Sequence, residues 1–140
     1  MLPAGFGGDQ VQVLGLARTA GGNAALLVAG TSLLAAWSDG GRWTVSAPVA
    51  GGRVSASGFG PGGSVWVLLG GGRAETIGGP GESWRTLPSV PGGTATLAPG
   101  PAGYDALAVA GSRLTVWRLA AGAWAQVQVI NVPITYGSSG

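Results

Sequence analysis

The sequence predicts an all-β chain built from three consecutive repeats of about 40 residues. Three observations carry this reading: a composition rich in Gly and Trp but poor in charge, tryptophans that recur at one spacing, and apolar runs too short for helices. The 140 residues include 29 Gly, 9 Pro and 6 Trp, with 46% hydrophobic and only 9% charged residues. Disordered chains show the reverse balance, poor in apolar residues and rich in charge. The glycines therefore mark tight turns between many short strands.

The repeat is anchored by Trp43, Trp84 and Trp124, spaced by 41 and then 40 residues. Each closes a turn-rich run, at residues 37–43, 78–84 and 118–124. A second matched set lies upstream, with ALLVAG at 25–30, WVLLGG at 66–71 and ALAVAG at 106–111. Each ends in Gly, where a left-handed turn brings no Cβ clash. Gly-rich turns precede these runs at 21–22, 62–63 and 101–103, and residues 11–17, 54–60 and 94–99 read as extended segments before them.

Each unit thus holds about four strands, placed in the second at 54–59, 64–69, 73–77 and 84–87. Four-stranded units of this length are propeller blades. A blade is a twisted sheet with two apolar faces, and neighbouring blades must cover both. That explains why residues 65–69 are wholly apolar rather than alternating. The expected fold is all-β, with three four-stranded propeller-type blades at 10–50, 51–91 and 92–131 and a tail at 132–140. Together residues 1–140 form a single partial β-propeller domain. A β-sandwich or an up-and-down barrel fits the strand count and turns but does not require the shared phase. The most apolar stretch, residues 24–37, is interrupted at 30–32 and is shorter than the ~20 residues of a spanning helix. It reads as two strands and a turn, so no membrane span is expected. Residues 1–10 lack the basic start and apolar run of a signal peptide.

The chain has no Cys and no His, which excludes thiol chemistry, disulfides and the common zinc sites. No metal and no cofactor are expected. The formal net charge is +2, and all seven basic residues are Arg. Arg18, Arg42, Arg53, Arg73, Arg85, Arg113 and Arg118 are scattered singly, without the clustered stripe of a nucleic-acid binder. The absence of Lys beside abundant Ala, Gly, Val and Arg fits a GC-rich coding genome. Asp9, Asp39, Glu75, Glu82 and Asp105 lie in or beside predicted turns and strand starts and read as solvated. Glycoside hydrolysis needs two carboxylates across the sugar, and Ca²⁺ needs several oxygen ligands. The Gly-rich run 58–63 lacks the Lys-Ser/Thr and the helix of a phosphate loop. No catalytic residue is expected, and the chain reads as a non-enzyme.

Trp37 and Trp117 fall six and seven residues before their anchors, with Ile77 at that place in the middle copy. They read either as core between blades or as flat faces that stack on pyranose rings, with Arg42, Arg85 and Arg118 near the same turns. Trp37, Arg42, Trp117 and Arg118 are the candidate ligand-binding residues.

Trp37-Ser38-Asp39-Gly40-Gly41-Arg42-Trp43 resembles the Asp-box (BNR) hairpin of sialidase-like propellers, Ser/Thr-x-Asp-x-Gly-x-x-Trp. The first copy is shortened, with Ser38 directly before Asp39. The second lacks the Asp, and the third keeps only Gly122 and Trp124. The resemblance implies a hairpin between the third and fourth strands of each blade, with Trp43, Trp84 and Trp124 as inter-blade anchors. That family's active site combines three Arg, a Tyr–Glu pair and an acidic donor. Here Tyr104, Asp105 and Glu75 match none of its catalytic motifs, so no catalytic role is carried over. The chain is also similar to Gly/Ala-rich propeller repeats common in exported actinobacterial proteins, which implies an extracellular or cell-envelope location.

The expected function is a non-catalytic binding or scaffold module that contacts a glycan or protein partner. The alternative is a C-terminal fragment of a sialidase-like glycoside hydrolase whose catalytic groups lie on missing blades. Three blades do not close a ring. The expected partner is therefore either the remaining blades of a longer parent chain or a second copy, giving a homodimer with a six-bladed ring. Residues 132–136 alternate in hydropathy and read as a closing strand or a flexible end.

Overall fold

The structure, a computed structural model, describes residues 11–100 and 103–133. These form three antiparallel sheets and no α-helix. The first sheet runs β1 (Val11–Arg18), β2 (Gly22–Ala29), β3 (Ser32–Asp39) and β4 (Arg42–Val45), with β5 (Val49–Ala50) also paired to β3. The second comprises β6 (Val54–Phe59), β7 (Val65–Leu69), β8 (Ala74–Ile77) and β9 (Arg85–Thr86). The third comprises β10 (Thr94–Gly100), β11 (Gly103–Ala110), β12 (Arg113–Ala120) and β13 (Ala123–Asn131). Each sheet is an open meander in chain order, and none closes on itself among the described residues. No helix among them is long and apolar enough to cross a membrane. Asp9, the start of the turn at 101–103 and the tail from residue 134 lie outside the described residues.

The sheets stack face to face, with the second in the middle. Successive side chains on a strand point to opposite faces, and the middle sheet buries both. Val65, Val67, Leu69 and Ile77 meet Ala24, Leu26, Leu33, Ala35 and Trp37 of the first sheet. Trp66, Leu68 and Ala74 meet Leu97 and Ala106 of the third. All five positions of β7 are buried, which is the physical counterpart of its unbroken apolar run.

A backbone hydrogen bond marks the repeat three times. As the chain leaves each sheet, an N–H donates to the turn between that sheet's second and third strands. Gly51 donates to Thr31 at 2.8 Å, Val90 to Gly72 at 3.0 Å and Val132 to Ser112 at 2.7 Å. The first strands lie side by side, β1 next to β6 and β6 next to β10. The approach is close: a Cβ on Gly15 would stand 3.1 Å from the Phe59 ring, and one on Gly60 3.1 Å from Pro99.

Farther out, tryptophans reach across the gap between sheets. Trp84, just before β9, donates its indole Nε1–H to the Ala47 carbonyl at 3.0 Å and to Ser46 Oγ at 3.2 Å. Trp124 on β13 donates to the Pro88 carbonyl at 3.0 Å. Both acceptors lie where the preceding chain has left its ladder after β4 or β9. Trp43 points the same way from β4, over Ala25, Leu27, Leu34 and Ala36 on the outer face of the first sheet.

The middle unit shifts one matched position. Its β7–β8 turn has three residues, Gly70–Gly72, where the other two sheets turn on two. Trp66 therefore takes the place of Leu26, facing the following sheet, rather than that of Ala25. The Gly-Gly turn between β3 and β4, with φ 59° at Gly40 and 88° at Gly41, is matched by Ala121 at φ 53° and Gly122 at 79°. Positive φ at both central residues is what a two-residue type I′ hairpin demands.

Loss of an indole that joins two sheets should cost far more than loss of an exposed side chain. In urea unfolding, Trp84→Ala is expected to lower stability by about 3 kcal/mol, whereas Arg42→Ala stays within about 0.5 kcal/mol. Equal effects of the two would remove Trp84 from the inter-sheet contact.

Candidate functional site

The four candidate ligand-binding residues do not converge. Trp37 on β3 is buried between the first and second sheets, and its Nε1–H donates to the Gly63 carbonyl at 2.7 Å. Trp117 on β12 packs from the opposite side, against the cluster between the second and third sheets. Their places are therefore not equivalent. An offset of six residues from one anchor and seven from the other puts the two rings on opposite faces, because side chains alternate along a strand. Ile77 and Trp117 do correspond, each facing the preceding sheet.

Arg42 is exposed beside the β3–β4 turn. Arg118 lies on the outer face of the third sheet, where its Nε and Nη2 donate to the Asp105 carboxylate at 3.0 and 3.2 Å. That hydrogen bond and the Asp105 charge raise the Arg118 pKa.

The carboxylates are likewise dispersed, and one departs from its expected setting. Glu75 is not a solvated turn residue: it sits within β8 and is only 4% exposed. The Thr86 hydroxyl donates to both its oxygens at 2.8 and 3.0 Å, and Arg73 Nε stands 3.4 Å from Oε2. Arg73 also donates through Nη2 to the carbonyls of Ala50 and Gly51, tying the second sheet to the chain that leaves the first. Glu75 thus supports the junction between sheets. Among the described residues, no group of three or more His, Cys, Asp or Glu could hold a metal.

Two clefts occupy matching places in the repeat. One, of about 400 Å³, is lined by Val28, Gly30, Thr31, Ser32, Leu33 and the linker residues Gly51 and Gly52. The other, of about 270 Å³, lies among Ser55, Leu68, Gly71, Gly72 and the linker 90–94. Both form where the turn after the second strand meets the chain passing to the next sheet, beside the repeated backbone hydrogen bond. Neither has a titratable lining residue. Their resources are hydroxyls, Gly backbone groups and apolar walls, which suit hydrogen-bonded recognition of a neutral ligand rather than proton transfer.

No protein-family model, curated protein or solved structure matches this chain.

The clefts escaped the sequence reading, although a signal for them exists. Gly51-Gly52 and Gly92-Gly93 recur 41 residues apart, the same interval as Trp43 to Trp84. Tyr104 has a structural setting on β11. Its phenol is partly buried against the second sheet beside Ser64 and Thr76, and burial raises its pKa above the ordinary 10.0, partly opposed by hydrogen bonds from those two residues.

A raised folded-state value means that the fold prefers the neutral phenol. This contribution is complete below pH 10 and is lost as pH rises through the folded value. Thermal unfolding followed from neutral to strongly alkaline pH should show the melting temperature falling above pH 10. Tyr104→Phe should flatten that fall while costing about 1 kcal/mol at neutral pH through its lost hydrogen bonds. An identical alkaline profile in the variant would exclude Tyr104 as its source.

Proposed function

We propose that this chain is a β-propeller-type repeat array acting as a non-catalytic binding or scaffold module. Its glycan or protein partner would sit at the end of the sheets where the two Gly-lined clefts open. The observation that carries this reading is the threefold recurrence of one junction. At each, the chain leaves its sheet by the same backbone hydrogen bond, and two of the three junctions carry a neutral cleft. Stacked sheets with adjoining first strands, and indoles bridging the outer strands, support the propeller-type assignment. A binding role follows from the cleft chemistry. Hydroxyls and backbone amides on a rigid β scaffold recognise neutral hydrogen-bonding ligands by shape and polarity.

The dispersed carboxylates argue against a hydrolase built from these residues. Glu75 is engaged with Thr86 and Arg73, and Asp105 with Arg118, and neither cleft has a carboxylate in its lining, whereas glycoside hydrolysis requires a pair across the sugar.

The test combines a glycan array, cross-linking mass spectrometry against candidate protein partners, and assays with aryl glycosides. The expected result is saturable binding to a neutral glycan class or a protein, without turnover. Thr31→Trp, which fills the mouth of the first cleft at an exposed position, should weaken that binding at least about tenfold and leave the melting temperature unchanged. Silence in both binding assays from a folded protein, or glycoside turnover, would overturn the proposal.

A further inference from the structure

The outer face of the third sheet carries the chemistry of an interior. β11 and β12 have the same two-residue turn as β2 and β3, so their positions correspond one to one. Leu107, Val109, Leu114 and Val116 stand where the first sheet has Leu26, Val28, Leu33 and Ala35. In the first sheet that face is covered by the second. In the third it is open: Val109 is 44% and Ile130 38% exposed. The one charged feature on this face is the Asp105–Arg118 pair, at one end, where the first sheet has Ala24 and Trp37.

One detail sets this face apart from the two faces that receive a following sheet. The chain after β4 and after β9 leaves the ladder and frees a carbonyl for the next sheet's indole. β13 instead stays paired to β12 through Asn131, with a single irregularity between its Gln126 and Gln128 pairings, so it offers no such acceptor.

We propose that this face packs against the same face of a second copy, forming a two-fold dimer. Head-to-tail stacking, including a six-bladed ring closed by two copies, needs the outer face of the first sheet. That face is already closed, with Ala25, Leu27, Leu34 and Ala36 at most 7% exposed beneath Val11, Trp43 and Val45. A two-fold contact uses one patch on both partners and stops at two copies. It also suits the charges. A partner of a single sign would leave either Arg118 or Asp105 opposite a like charge. The same face turned by a two-fold axis presents one of each, so Arg118 of one copy answers Asp105 of the other. Burying four apolar side chains from each copy supplies the attraction.

Sedimentation velocity and light scattering across a wide concentration range test this on the full chain. The expected mass is twice 13.6 kDa. Val109→Glu should weaken dimerisation at least about tenfold with an unchanged melting temperature. Leu16→Glu, at an exposed site on β1 in the first sheet, should leave the mass untouched. Asp105→Arg sets like charges across the axis and should also weaken the dimer at least about tenfold; it decides the matter if Val109→Glu fails to fold. A wild-type monomer at every concentration, a mass above dimer, or a dimer that withstands Asp105→Arg would overturn the proposal.

Discussion

Val65, Val67 and Leu69 point to one side of β7, Trp66 and Leu68 to the other, and all five are buried. The central strand of the middle sheet buries large apolar side chains on both faces under neighbouring sheets, and each such side chain left in water would forgo about 1.5–3 kcal/mol. The middle sheet therefore exists as a folded object only because a sheet lies on each side of it. From that constraint follow the stacking of the three units, the similar length of the repeats and the Gly-rich turns that bring the chain back into phase.

Two kinds of contact set the spacing of the stack. Near the first strands, Gly15 and Gly60 let the backbone come up against Phe59 and Pro99, where a larger residue would collide. Near the fourth strands, indoles fill the space, and their N–H groups find carbonyls that the preceding chain has freed. Polar groups reinforce the same seams. Arg73 holds the linker from the first sheet, and the Tyr104 phenol lies between the second and third. Both side chains are half-buried at these seams. Their location at junctions shows where the fold concentrates its specificity.

The tryptophan period and the unbroken apolar run of β7 made the all-β class and the extent of the second sheet legible in the sequence. The strands expected at 54–59 and 64–69 correspond to Val54–Phe59 and Val65–Leu69. Facing was less legible, because it depends on odd or even separation and on turn length. One residue separates the offsets of Trp37 and Trp117, and one extra turn residue displaces Trp66. The burial of Glu75 was not readable at all, since Arg73 and Thr86 make it tolerable only once β8 and β9 are paired. β5 was likewise hidden: its pairing with β3 arises when the chain rejoins the ladder after Pro48. The clefts were illegible for a related reason. Aromatic and Arg side chains attract attention in a sequence, whereas the clefts are lined by paired glycines whose role appears only when linker and turn meet.

Mutual coverage of the sheets makes a sharp statement about where the molecule is most resistant to opening. Native-state hydrogen exchange, resolved by residue, measures this directly. The amides of β7 and β8 are expected to exchange slowest, through an opening that exposes the facing strands β2, β3 and β11 as well. Slower exchange in β1 or β13 than in β7, or three sheets opening independently with unrelated free energies, would contradict it.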